Sequence, residues 1–156
     1  MIRIDFLGTG NAFTPSGRLH ALTLIDGKIL IDTPPTLITQ LRRKGLKTSE
    51  IEYLLFTHWH ADHTFGFPFF MLERKYISDP KREKDLKIYL RPGGKEKISN
   101  LCNIGFPGSL EDVEKMAHWH EEEMCELAGT NWSFERFPVC HTPETDPHGY
   151  ELTHTT

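Results

Sequence analysis

At 156 residues, with 38% apolar and 26% charged side chains, the chain is long enough for one domain with a real core. Its net charge of -4 lacks the basic footprint common among nucleic-acid binders, which argues against a purely electrostatic grip on RNA. No apolar run of about 18 residues occurs, so no membrane span is expected, and the first residues lack the basic-then-apolar pattern of a secretory leader. Three cysteines, Cys102, Cys125 and Cys140, are odd in number and show no metal-type spacing. Free thiols in a reducing cytoplasm are the expectation.

Alternation over residues 2–7 predicts an edge or sandwich strand. Gly8, Gly10 and Asn11 then predict a turn, where the missing Cβ atoms admit a close approach of backbone. A phosphate cradle is the sharper reading of this Gly-x-Gly, but no helix pattern follows it, and a structural turn is preferred. Residues 21–25 and 28–31 flank Asp26-Gly27 and predict a two-residue hairpin of type I′. Asp32 ends the second strand. Thr33 is expected to cap a helix with Pro34 at its first position, Leu37, Ile38 and Leu41 facing inward and Gly45 closing it. Residues 51–56 form the next strand.

Directly after that strand stand His58, His60, Asp62 and His63. Histidines are seldom clustered for packing, and a carboxylate buried beside them without a partner would be costly. A divalent cation resolves both difficulties, because neutral imidazole and ionised carboxylate are its ordinary ligands. On an extended strand end His58 and His60 point to one side and can hold one metal. If the chain then turns into a helix, Asp62 and His63 face a second. The bland alternative is a loop of surface histidines.

The string His58-Trp59-His60-Ala61-Asp62-His63 after an apolar strand resembles the metallo-β-lactamase superfamily. Phe6-Leu7-Gly8-Thr9-Gly10 and Ile29-Leu30-Ile31-Asp32-Thr33 are similar to the openings of its ribonuclease Z-like branch. The resemblance implies an α/β fold, the αββα four-layer sandwich, with residues 1–156 as a single domain truncated at its C-terminal side. It also implies that Asp32 orders loops near the metals without being a ligand.

Further along, the aromatic stretch 65–72 is expected to be a helix anchored in the core, with pocket lining as the alternative. Residues 78–85 read as an exposed loop and 86–90 as a strand. Residues 95–102 and 109–127 read as helices, the second capped by Ser109 with acidic residues in its first turn. That second helix would carry His118 and His120, which then diverge, so this pair is rejected as a metal site. Residues 131–140 alternate as a strand and lead into His141. A later Gly149-Tyr150 strengthens the family match. His148, in an expected loop, and His154, after a strand, are read as non-ligands.

What the resemblance implies for function is metal-dependent hydrolysis. Two divalent metals are expected, zinc foremost, with manganese or iron as alternatives. His58, His60 and His141 would hold the first, and Asp62 and His63 the second, while Asp62 also orients or deprotonates the attacking water. The family's bridging aspartate and final histidine would come from elsewhere; a homodimer or an exchanged segment is one way to supply them. The expected substrate is a phosphodiester, either RNA or a small cyclic or nucleotide-like molecule, with no membrane partner. The rival readings are a non-catalytic metal-binding or assembly fragment, and a thioester or lactone hydrolase on the same site.

Overall fold

The computed structural model describes residues 1–156. Six strands build the larger sheet in the order β1 (Ile4–Gly8), β2 (Leu22–Ile25), β3 (Ile29–Ile31), β4 (Tyr53–Leu55), β5 (Lys87–Tyr89) and β6 (His118–His120). The first three are antiparallel, and β3 to β6 run parallel. Asp26 and Gly27 both take positive φ, at 51° and 71°, as the hairpin turn between β2 and β3 requires. Parallel neighbours need crossovers, and these are the helices α1 (Leu37–Arg43), α2 (Ala61–Thr64), α3 (Phe67–Glu73) and α4 (Gly94–Gly105).

A second, antiparallel sheet follows from β7 (Met124–Glu126), β8 (Trp132–Pro138) and β9 (His148–His154). Two cores separate the layers. One lies between the helices and the larger sheet, where Leu37, Phe67, Phe70, Ile98 and Cys102 pack on Leu24, Leu54 and Ile88. The other lies between the sheets, where Tyr53, Leu55 and Tyr89 meet Leu127, Trp132 and Phe134. The layers are therefore helix, sheet, sheet: three of the four expected. No helix covers the outer face of the smaller sheet, which presents Glu135 and Glu151 to solvent. At its open side the larger sheet leaves Ile4 and Phe6 on β1 exposed at 53% and 72%.

Several local expectations need correction. Helix α1 starts at Leu37, and Thr33 caps nothing; its hydroxyl donates to the Thr64 carbonyl instead. Gln40 replaces Ile38 on the buried face, since its amide has partners inside. The helix expected over 109–127 is absent. Acidic residues there support only a single 3-10 turn, Val113–Lys115, before the chain enters β6 and then β7. Pairing of β6 with β5 overrides local helix preference, and Trp119 packs against the helical core while His118 and His120 face the other way. His148 opens β9 and is buried, where a loop was expected; its backbone N–H donates to the Thr57 carbonyl. No helix is long and apolar enough to cross a membrane.

Candidate metal centre

The centre sits beyond the carboxyl ends of the parallel strands β3 and β4, where open α/β sheets present their ligand-binding loops. Leaving β4, the chain stays extended through His60 (φ -60°, ψ 147°) and then winds into α2. That change of period decides the ligand geometry. His58 and His60 project together from the extended part, while Asp62 and His63 ride on the first turn of helix.

His141, 81 residues after His60, completes the first set: its Nε2 lies 3.1 Å from His60 Nδ1. The three ring centroids of His58, His60 and His141 form a nearly equilateral triangle with sides of 5.0, 5.0 and 4.9 Å. Their ligating nitrogens all lie within 4.8 Å of one another. Zinc–nitrogen bonds of about 2.1 Å in tetrahedral array place two nitrogens roughly 3.4 Å apart, so the observed spacing fits a small divalent cation.

Asp32 governs the protons. Its Oδ1 accepts the Thr57 backbone N–H at 2.8 Å, and its Oδ2 accepts the Thr57 hydroxyl at 2.6 Å and His63 Nδ1–H at 2.8 Å. With its proton given to Asp32, the Thr57 oxygen can only accept, and it takes His58 Nδ1–H at 2.9 Å. In their neutral forms both His58 and His63 thereby present an unprotonated Nε2. A carboxylate oxygen of Asp32 and ring nitrogens of His58 and His63 also lie within 4.8 Å of one another, close enough for a second metal set, yet both Asp32 oxygens are already engaged. Asp32 is thus hydrogen-bonded behind the histidines, a position suited to the orienting role that the resemblance implies. His63 Nε2 instead comes within 3.3 Å of Asp62 Oδ2, which aligns the two groups expected for a second cation.

Burial and Asp32 set the charge state of these histidines. Desolvation, and next the neighbouring His63, push the His58 pKa down to about 4, so this 9% exposed ring is neutral near pH 7. Burial opposes charge on His63 as well, but the hydrogen bond and charge of Asp32 outweigh it and hold its pKa above the ordinary value.

The five expected residues thus share one site, and all of them line a cavity of about 850 Å³ together with Thr9, Gly10 and Asn11. His148 and His154 stand outside it. His148 accepts from the buried Arg136 guanidinium, and His154 packs on Trp132. His118 and His120 lie on a strand and share a face after all, yet they gather no third imidazole. His120 stacks on Tyr89 at 4.8 Å, and His118 is paired only with Asp85 at 3.9 Å. The cavity wall also includes a histidine that was not anticipated, His20, which enters just before β2. A lone histidine after a basic, polar stretch gave no signal of its own.

Comparison with known proteins agrees with this architecture. Ribonuclease Z of Pyrococcus abyssi is 32% identical over 116 residues, covering 72% of this chain and 37% of that protein. A diphosphatase of the PhnP family has a similar structure, with a TM-score of 0.66 and 25% identity over 97% of this chain and 63% of that one. The metallo-β-lactamase fold protein YhfI from Bacillus subtilis superposes with a TM-score of 0.70 at 14% identity, over 97% of this chain and 58% of that one. The chain therefore spans less than two thirds of each of these relatives. It has the metallo-β-lactamase fold and is ribonuclease Z-like. The profile of one family, the Anti-Pycsar protein Apyc1, matches residues 2–155, and the chain belongs to that family.

Proposed function

We propose that the chain carries the metal-holding part of a zinc-dependent phosphodiesterase whose substrate is a small, nucleotide-like phosphodiester. The observation that carries this reading is the convergence of His58, His60 and His141 on one cavity that Asp62 and His63 also enter. The relationships to a ribonuclease Z and to a PhnP-family diphosphatase support phosphate-ester chemistry over thioester or lactone cleavage. Two features favour a small substrate over RNA: the net charge of -4, and a cavity wall with no lysine or arginine.

When bound, a divalent cation supplies positive charge at the attacked phosphorus and lowers the pKa of the attacking water. The chain's own residues do the rest. Asp62 orients the water and takes its proton. Asp32 holds His63 and, through Thr57, His58 in the tautomers that leave Nε2 open. The same reading places the protein in a reducing cytoplasm, in keeping with three free cysteines, and includes a homodimer as a source of further ligands.

Hydrolysis of bis(4-nitrophenyl) phosphate by zinc-reconstituted protein tests the proposal, with a thioester and a lactone as controls. Activity on the diester alone, falling at least about 100-fold in Asp62→Asn, is the expected result. Turnover of the thioester or lactone with none of the diester would replace the reading.

A further inference from the structure

His20 stands in the wall of the same cavity, and its surroundings fix which of its nitrogens carries the proton. The chain of reasoning starts at the buried Gln40. Its Nε2 donates to two carbonyls, His20 O at 2.7 Å and Leu7 O at 3.3 Å, so its Oε1 is the acceptor of the amide. That oxygen accepts the Thr36 hydroxyl at 2.9 Å. Having given its one proton to Gln40, the Thr36 oxygen can only accept from the His20 ring, whose Nδ1 lies 3.3 Å away. The proton is on Nδ1, and Nε2 is a lone-pair acceptor with no partner in the protein.

The Gly8-Thr9-Gly10 turn packs directly against the backbone that carries this ring. A Cβ on Gly8 would lie 2.1 Å from the His20 carbonyl and 2.3 Å from Gln40 Nε2, and one on Gly10 would lie 2.6 Å from the Arg18 carbonyl. The two glycines let the backbone of residues 18–20 lie directly against the turn, where Gly10 N donates to Leu19 O at 2.7 Å and Ala21 N to Gly10 O at 2.8 Å. His20 is therefore held at three points: by its carbonyl, by its Nδ1 and by the turn beneath it. Such a ring is preorganised in the cavity wall, and its Nε2 is left free to accept a hydrogen bond.

We infer that His20 is a specificity-determining residue that accepts a hydrogen bond from an N–H or O–H group on the non-phosphate part of the substrate. This rests on the phosphodiesterase reading above, and it adds a polar contact away from the metals. Aryl phosphates have no such donor; a nucleotide has both sugar hydroxyls and base N–H groups.

The test is an NMR titration of zinc-loaded protein with two ligands, uridine monophosphate and phenyl phosphate, for the wild type, His20→Ala and Thr36→Val. His20→Ala should weaken uridine monophosphate binding about 5- to 10-fold and phenyl phosphate binding by less than about twofold. Thr36→Val, which frees the ring without removing it, should weaken the nucleotide alone and by a smaller factor. Long-range nitrogen NMR of the wild type should place the His20 proton on Nδ1. Equal weakening of both ligands would make His20 an anion contact or a structural residue and overturn the inference, as would no change in either, or a proton on Nε2. If the wild type bound neither ligand, the phosphate-ester reading would fall and this inference with it. Binding of both ligands without any effect of His20 would remove the inference alone.

Discussion

His58-Trp59-His60 leaves the end of β4, whereas His118-Trp119-His120 forms β6, two strands away in the same sheet. Both pairs have the spacing that puts two imidazoles on one side of an extended chain. Their surroundings differ. The first pair stands where strand gives way to loop, so His141 can approach and Asp32 can organise the rings from behind. The second pair is consumed by the sheet. His118 and His120 lie opposite Lys87 and Tyr89, and His120 spends its face stacking on the tyrosine. Under the proposed reading, spacing alone does not make a pair of histidines a metal site. What separates the two is a free strand end and a carboxylate that sets the tautomers.

The contrast is broken most severely at His141. This exposed residue is expected to contribute little to stability, yet His141→Ala should weaken zinc binding by about 100-fold or more while leaving the melting temperature of the metal-free protein unchanged. The buried His148 should do the reverse. Its loss leaves Arg136 Nη1 without its partner, while Nη2 still donates to the Leu90 carbonyl, and should cost about 2 kcal/mol of stability with zinc affinity nearly kept. Calorimetric zinc titration together with thermal melts reads both effects. Should His148→Ala strip the metal while His141→Ala keeps it, the two residues would have to exchange roles.

Asp32→Asn sharpens the comparison at the next level down. An amide cannot accept from both Thr57 and His63 with the same strength, so zinc affinity should fall about 10- to 100-fold even though no ligand is lost. No comparable carboxylate stands behind His120, whose closest acidic contact is Glu122 at 3.7 Å. Glu122→Gln should leave zinc affinity as it was.

Proton linkage gives a smaller effect with a defined sign. In the metal-free chain, His58 titrates near its ordinary pKa of 6.5 when unfolded and at about 4 when folded. Between those values the unfolded state binds the extra proton, so stability falls as pH falls through the window, by about 3 kcal/mol in all. His63, raised by Asp32, acts on the other side. Its contribution is complete below pH 6.5 and is lost as pH rises through its folded value. Together they place a stability maximum near pH 6.5, to be read by urea unfolding across pH, and His58→Gln should flatten the acid limb. An unaltered acid limb in that variant would count against a buried neutral His58.

Much of the fold was legible because its signals are local. The Asp26-Gly27 turn, the apolar strand before the histidines and the aromatic helix behind them each follow from residues within a few positions of one another. His58, His60, Asp62 and His63 were visible for the same reason, and His141 through the family resemblance. The stretch 109–127 was not legible. Its acidic residues and Ser109 satisfy helix rules locally, and only the pairing of β6 with β5, about 30 residues away in sequence, decides otherwise. His20 escaped notice because its significance lies in Gln40 and Thr36, which position it from a helix elsewhere in the chain.

The central claim is that the histidines after β4, and not those within β6, hold the metal. Elemental analysis of zinc per chain in wild type, His60→Ala and His120→Ala, each dialysed under the same conditions, tests it most directly. Full occupancy in wild type and His120→Ala, with most of the zinc lost from His60→Ala, is the predicted result. Equal loss from both variants, or loss from His120→Ala alone, would contradict it.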